Sequence, residues 1–319
     1  MNKIIILILL PFISGEIFAN NLNNALDVYN KGDEEMALTM LLPLAKSGSA
    51  RAQFEVGKIY SKGKSETDTI SFGKAIYWLQ KAAEQRFLKA QYNLAILYDK
   101  GIYDKGTLVR DGKKAVYWYQ QAANAGVDRA QDALGMKYHK GEGVPLDHEK
   151  AFSLFKKAAE QGYPPAQFNL GSAYFEGLGV KKNVQKGILF WMKSARNGDL
   201  SAQFNLGTAH EEGKHVKQDI NKAIFWFKKG AEQGDAKLQY SLGRLYMMHM
   251  PRNSNAEYWT KKAARQGISW AYCNLALIYA EGMGVRKDLV SARQWAKKGD
   301  ALGVSQCSRI LNSYNLYLN

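Results

Sequence analysis

The chain has 319 residues, and its 44 lysines and arginines against 29 aspartates and glutamates give a formal net charge of +15 at pH 7. After the first nineteen residues no stretch is long and apolar enough for a transmembrane helix, so we expect no membrane-spanning helix in the mature chain. Two cysteines are compatible with export but do not demand a disulfide.

Residues 1–19 have the pattern of a cleavable secretory signal. Lys3 supplies a short positive region, Ile4–Leu10 an apolar core, and Ile17–Ala19 a cleavage site before Asn20. The pattern predicts cleavage after Ala19 and leaves no cysteine for a lipoprotein anchor. We therefore expect a mature protein that is periplasmic or secreted and has no transmembrane segment of its own.

Residues 20–48 read as a degenerate first copy of a helical repeat. Tyr29–Gly32 ends its first helix, and Met36–Gly48 supplies the second, which Pro43 is expected to break late.

Residues 49–303 contain seven clearer copies of about three dozen residues each. The first half of a copy reads AQFNLGSAY at Ala166–Tyr174 and AQFNLGTAH at Ala202–His210, and the second half reads KAIFWFKKGAEQG at Lys222–Gly234. One column follows the register through the copies: Gln53, Gln91, Gln131, Gln167, Gln203, Gln239 and Tyr272. A fixed period of this length predicts stacked helical hairpins in one continuous array, closed by a lone helix in residues 304–319.

Local chemistry supports this assignment. The glycine after the leucine in the first half of the repeat, as at Gly171 and Gly207, favours close approach of a partner helix. Gly177, three residues after Tyr174, is placed where the chain leaves the helix with a positive φ. The second helices share a tryptophan column that we expect to lie in the core between repeats: Trp78, Trp118, Trp226, Trp259 and Trp295, with Leu154 and Phe190 in the remaining copies.

These two halves closely resemble the Sel-one-like repeat (SLR) family, a branch of the tetratricopeptide-like proteins. The resemblance covers about Asn24 to Leu311. It implies an all-α right-handed superhelical solenoid, with first helices on the concave side and second helices on the convex side. It also implies a protein adaptor or scaffold, often an exported regulator. The long loop Ile102–Lys113 and the sixth-copy loop Met247–Pro251 depart from the family pattern.

When the first helices are laid on the tetratricopeptide pattern, two columns face the groove. Clamp-type relatives hold a peptide carboxylate with such residues through charge-assisted hydrogen bonds. The near column holds Asn93, Asn169, Asn205 and Asn274, the far column holds Arg51, Lys89, Arg129 and Lys237, and aromatic residues beside them are Phe54, Tyr92, Phe168, Phe204 and Tyr240. The alternative is that the asparagines belong to the ordinary repeat and bond neighbouring helices.

Paired lysines recur in register near the ends of the second helices, as at Lys228 and Lys229. They are either a solvated face or an attraction for acidic proteins, anionic lipids or cell-wall polymers. Nucleic acid is not expected, because the aromatic residues belong to the repeat core and are not interleaved with the basic ones.

Cys273 and Cys307 lie at comparable positions in the seventh copy and the closing helix. In an oxidising compartment a disulfide between them would pin the C-terminal helix. The alternative is two small, buried, unpaired side chains.

No catalytic, metal or cofactor site is predicted. Ser-x-x-Lys occurs at Ser61–Lys64 and Ser153–Lys156, but the partner motifs of serine penicillin-recognising enzymes are absent. His210 and His215 lack metal-ligand spacing.

The sequence therefore predicts an exported, non-enzymatic adaptor that binds a protein or peptide, with acidic partners among the candidates, through its concave groove. Two alternatives remain: an envelope enzyme or enzyme inhibitor acting on cell-wall precursors, for which Ile102–Lys113 is the place to look, and electrostatic docking to anionic envelope polymers.

Overall fold

The computed structural model describes residues 19–62, 69–104 and 107–316. The contacts divide the chain into two compact units, Met1–Gln161 and Gly162–Asn319, and the boundary falls in the turn between two repeats. The secretory signal predicted for residues 1–19 lies outside the described residues except for Ala19, so it stays a prediction. Among the described residues, no helix is long and apolar enough to cross a membrane.

Both units are built from antiparallel helix pairs, which confirms the predicted all-α fold class. The helices of the first unit are α1 (19–30), α2 (Glu34–Lys46), α3 (Ala50–Lys62), α4 (Thr69–Glu84), α5 (Leu88–Lys100), α6 (Gly112–Asn124), α7 (Asp128–Lys140) and α8 (His148–Glu160). Those of the second unit are α9 (Pro164–Glu176), α10 (Val184–Arg196), α11 (Leu200–Glu212), α12 (Ile220–Glu232), α13 (Ala236–His249), α14 (Asn255–Arg265), α15 (Ser269–Glu281), α16 (Leu289–Asp300) and α17 (Ser305–Ser313). Odd-numbered helices from α3 to α15 are the first helices of the seven repeats.

The ends of the helices follow from local chemistry. Aspartate or asparagine caps many of the second helices; the Asp147 carboxylate, for example, accepts a hydrogen bond from the Lys150 backbone N–H. Four first helices, α7, α9, α11 and α15, end at a left-handed glycine such as Gly177, whose φ is 84°. The positive φ predicted for this position is confirmed.

In α7, α9, α11 and α13 the glycine after the leucine is where the second helix packs against the first. A Cβ atom at Gly207 would lie 2.3 Å from Cε1 of Phe227, and one at Gly171 would lie 2.6 Å from Cδ1 of Trp191. The predicted close approach is therefore confirmed, and its cause is a bulky side chain of the partner helix that fills the space of the missing Cβ.

The glutamine column forms a ladder of buried hydrogen bonds. In five copies the side-chain amide donates to the backbone carbonyl eight residues earlier, at 2.9–3.2 Å: Gln53, Gln91, Gln131, Gln203 and Gln239. In the seventh copy the hydroxyl of Tyr272 donates to Ala264 in the same way, at 3.2 Å. These bonds tie the start of each first helix to the end of the preceding second helix.

A second set of amides completes the ladder. The amides of Gln85 and Gln161 donate to the oxygens of Gln53 and Gln131, each at 2.8 Å, from the end of the following second helix. Ala125 takes this place after α6, and the buried oxygen of Gln91 has no hydrogen-bond partner among the described residues.

Replacing Ala125 by glutamine is therefore expected to stabilise the protein. The new amide would satisfy the Gln91 oxygen and raise the free energy of unfolding by about 0.5–1.5 kcal/mol, the net value of one hydrogen bond. Urea unfolding of the variant measures it. Ala125→Glu is the matched control, because a carboxylate has the same reach but no N–H to donate; an equal gain in both variants would contradict the explanation.

Three features differ from the sequence expectations. Helix α2 continues through Pro43 to Lys46 instead of breaking, because Pro43 lies on the exposed face, where water can solvate the carbonyl it leaves unpaired. The long loop contains a short antiparallel hairpin, Ile102–Asp104 with Thr107–Val109. The tryptophan column is buried at Trp78, Trp226 and Trp259 but only half-buried at Trp118 and Trp295.

The second unit ends with α17, which a disulfide joins to the array. Cys273 in α15 and Cys307 in α17 are bonded, with their Cα atoms 4.8 Å apart. Both residues are fully buried. A Cβ atom at Gly299 would lie 2.1 Å from the Cys307 sulfur, so the bridge needs glycine there.

Candidate protein-binding site

First helices α9, α11 and α13 enclose a pocket of about 440 Å³ in the second unit. We call it the first-helix pocket, and its lining consists of Phe168, Leu200, Ser201, Phe204, Asn205, Asp235, Lys237 and Leu238. Four of the predicted groove residues, Phe168, Phe204, Asn205 and Lys237, thus come together in one place. The sequence alignment of columns across repeats was sufficient to find them.

The aromatic part of this pocket is anchored in the core but open to solvent. The Phe204 side chain is 39 % exposed, while the centroid of its ring lies 6.0 Å from that of the buried Phe227. A ring held in this way offers apolar contact area at little cost in conformational entropy.

The polar part of the pocket favours an anionic group. The Asp235 carboxylate is already engaged by the Leu238 backbone N–H, at 2.8 Å, as the cap of α13. The exposed ammonium of Lys237 forms no ion pair with any described residue. The pocket can therefore hold an apolar side chain beside a carboxylate, with Asn205 to hydrogen-bond a peptide backbone.

Asp199 is the residue before α11, and its carboxylate also accepts hydrogen bonds from within the protein. Burial raises the pKa of its carboxyl, while hydrogen bonds from the Ala202 and Ser201 backbone N–H groups oppose the rise. The bond to Ala202 measures 2.8 Å. Asp199 therefore acts as a helix cap rather than as a ligand-binding acid.

The predicted residues of the first unit divide by exposure. Arg51, Lys89 and Arg129 are exposed, and Tyr92 and Asn93 are half-buried. The Tyr92 ring lies 5.9 Å from the Tyr119 ring, and its burial raises the pKa of the Tyr92 hydroxyl. In the second unit Asn169 and Tyr240 are likewise half-buried.

Two of the predicted groove residues are not accessible to a partner. Phe54 is only 6 % exposed, because its ring packs 5.2 Å from that of Phe87, the residue before α5. Asn274 is 4 % exposed in the first helix of the seventh copy, next to the disulfide at Cys273. The groove assignment of these two residues is therefore wrong.

Sequence reasoning missed a charge cluster around a buried lysine in the first unit. The Lys137 ammonium pairs with the carboxylates of Asp99 and, at 2.8 Å, Glu142. Burial lowers the pKa of Lys137, but hydrogen bonds to both carboxylates outweigh it, and the pKa is raised. Lys137 stands in a column that is apolar in the other copies, as at Ile59 and Leu245, and that departure could have revealed it.

The second helices also carry side chains that the sequence argument placed in the core. Tyr77, Tyr117, Phe225 and Tyr258 are 48–54 % exposed, and each packs edge-on against the tryptophan that follows it. The Lys262 ammonium lies 4.8 Å from the Tyr258 ring centroid. Aromatic and basic residues are therefore interleaved on this face, and the argument against nucleic acid from aromatic burial is wrong there.

The residues considered for chemistry have ordinary structural surroundings. Ser153 is exposed on α8, and Lys156 pairs with Glu160 at 3.9 Å. The Ser61 hydroxyl donates to the Lys58 carbonyl, while Lys64 lies outside the described residues. The Nδ1 atom of His210 lies 3.4 Å from the carbonyl oxygen of Lys217. Within the described ranges, no three histidine, cysteine or acidic side chains are grouped as a metal site would require.

Comparison with known proteins agrees with the repeat geometry. The Sel1 repeat model matches seven segments, residues 50–87, 88–127, 128–163, 164–199, 200–235, 236–268 and 271–303. No curated protein matches the chain.

Two solved structures are similar over most of the chain. One is a protective antigen of uropathogenic Escherichia coli that displays an SLR fold, with 32% identity and a TM-score of 0.71, covering 85% of this chain. The chain spans only 57% of that antigen's length. The other is a Sel1 repeat protein from Oxalobacter formigenes, with 28% identity and a TM-score of 0.66, covering 91% of this chain and 89% of that one. The chain belongs to the Sel1 repeat family.

Proposed function

We propose that this protein is a non-enzymatic scaffold that binds another protein through the exposed face of its first helices. Sel1 repeats generally mediate protein–protein interaction, and they account for residues 50–303 with few interruptions. The observation that carries the proposal is the first-helix pocket, where exposed Phe204, Asn205 and an unpaired Lys237 converge. An extended segment with an apolar side chain next to a carboxylate has the complementary chemistry.

We also propose that the scaffold is exported and acts in the periplasm or outside the cell. The signal pattern of residues 1–19 supports this location. The Cys273–Cys307 disulfide supports it independently, because such bonds persist in oxidising compartments and are rare in the cytosol.

Site-specific cross-linking tests the proposed binding face. A photoreactive phenylalanine analogue at position 204 should capture one discrete partner in cells, while the same analogue at position 225, an exposed ring on a second helix, should not. Lys237→Glu should weaken partner binding by about tenfold or more, because a charge-assisted hydrogen bond is replaced by repulsion.

Lys217→Glu is the matched control, since Lys217 is an exposed lysine of the same unit outside the pocket. Circular dichroism should show that every variant keeps its helix content. Capture at position 225 without capture at position 204 would place binding on the second helices instead, and an equal loss with Lys217→Glu would point to net charge rather than the pocket.

Docking to anionic envelope polymers is a second candidate, and a specific observation favours it. The exposed rings of the second helices carry lysines nearby, as with Lys229 and Phe225, whose centroid lies 5.8 Å from the ammonium. Such binding would fall steeply with salt, whereas binding in the first-helix pocket would survive moderate salt because its apolar part is not screened.

A further inference from the structure

Arg86 has a backbone conformation that the other repeats give to glycine. Its φ is 61°, in the left-handed region. The equivalent turn residues are all glycines with positive φ: Gly48, Gly126, Gly162, Gly198, Gly234, Gly267 and Gly303. A side chain in this region strains the backbone, so an arginine here destabilises a turn that glycine would form without strain.

Three other exposed cations of the first unit lie in the first turns of α3, α5 and α7. The Gln85 amide donates to the Gly48 carbonyl at 3.0 Å, which holds the turn of Arg86 against the turn that precedes Arg51. Lys89 follows Arg86 by three residues, in the first turn of α5. Arg129 occupies the matching position of α7 and lies close enough to Tyr92 of α5 that its charge opposes the raised pKa of that hydroxyl. We call Arg51, Arg86, Lys89 and Arg129 the basic edge.

The packing of the unit does not use these four charges. Among the described residues, none of these four side chains forms an ion pair or donates a hydrogen bond, although other lysines of the unit, Lys58 and Lys150, pair with Glu55 and Asp147. The adjacent carboxylates are already engaged: Glu84 accepts from the Gln80 amide at 3.0 Å, and Asp128 from the Arg129 backbone N–H at 2.7 Å. The four basic side chains therefore form no internal ion pair and are open to an anionic partner.

We propose that the basic edge binds an internal acidic stretch of the protein partner, with side-chain carboxylates paired to successive repeats. The proposal rests on the proposed scaffold function and names the chemistry of the segment that the scaffold binds. Guanidinium groups pair with carboxylates through two parallel hydrogen bonds, and the edge contains three arginines.

The surroundings of the basic edge favour a peptide over single-stranded nucleic acid. Bases need open aromatic faces for stacking. The rings beside the edge are occupied: Phe54 packs against Phe87, and the half-buried Tyr92 packs against Tyr119. The strain at Arg86 is explained if its side chain contributes to binding rather than to folding.

Replacing Arg86 by glycine in the full-length mature protein should raise its stability and lower its affinity for an acidic peptide. The variant should melt about 1–3 °C higher, because the left-handed strain is relieved. It should also bind an amidated, fluorescein-labelled hexaglutamate peptide about three- to fivefold more weakly at low ionic strength, as expected for one exposed charge pair. The triple variant Arg51→Gln, Lys89→Gln, Arg129→Gln should remove the binding and keep the native circular dichroism spectrum.

The controls separate this edge from general electrostatics. Lys31→Ala removes another exposed, unpaired cation of the same unit and should leave the affinity unchanged, and a hexaglutamine peptide should not bind. Unchanged hexaglutamate affinity in Arg86→Gly, or a lower melting temperature, would overturn the proposal. Tighter binding of oligothymidylate than of hexaglutamate would overturn it in favour of nucleic acid.

The two proposals fail separately. Cross-linking at position 204 together with unchanged hexaglutamate affinity in Arg86→Gly would overturn the basic edge alone. Hexaglutamate binding that Arg86→Gly weakens, with no partner captured at position 204, would support the edge and overturn the first-helix pocket as the binding site.

Discussion

Replacing Cys273 and Cys307 together by alanine is expected to lower the free energy of unfolding of the second unit by about 3–4 kcal/mol. The bridge closes a loop with a sequence separation of 34 residues. A cross-link of that span removes about this much conformational freedom from the unfolded chain in the loop-closure model. Helix α17 has only nine residues, so it depends on its attachment to α15 and α16.

The effect should appear first in α17. Hydrogen exchange of its amides measures local opening, and urea unfolding measures the whole unit, since a chain with two units need not unfold in a single step. The same chain, reduced with a phosphine while unfolded and then refolded with the reductant present, is the matched control, because it loses the bridge and keeps both sulfur atoms. Identical urea midpoints for oxidised and reduced protein would show that the bridge contributes no stability.

Replacing Gly207 by alanine is expected to destabilise the protein by about 1–3 kcal/mol, the usual effect of overpacking a core. The added methyl would meet the ring of Phe227, which is 1 % exposed and packs among Leu238, Leu242 and Leu245. This direction is opposite to helix propensity, which favours alanine over glycine by about 1 kcal/mol.

Gly73→Ala is the matched control for that substitution. Gly73 lies inside α4, and a Cβ atom there would meet nothing within 4 Å. Propensity alone should act at this position and stabilise the protein by about 0.5–1 kcal/mol. Thermal and urea unfolding of the two variants should therefore shift in opposite directions; a shift of Gly207→Ala towards greater stability would contradict the close-packing account.

Much of the candidate site was predictable because the repeat fixes the register of each first helix. The column that holds Lys237 and the aromatic column that holds Phe204 could be located by counting from the leucine of each copy. Counting shows which way a side chain points, but it does not show what packs over it. Phe54 lies in the column of Phe204 and Asn274 in the column of Asn205, yet both are buried, since Phe87 covers the first and the second lies beside the disulfide-linked end of the unit.

Fold class, helix lengths, glycine turns and the close contact at Gly207 were contained in the sequence, because each depends on residues three to four apart or on one repeat period. Three features could not be predicted from the sequence: the pairing of Lys137 with Asp99, the unpaired side-chain oxygen of Gln91, and the exposure of Tyr77 and Phe225. These features depend on which side chains of different helices meet, at separations of about one repeat, and such contacts are set by packing in three dimensions rather than by local periodicity.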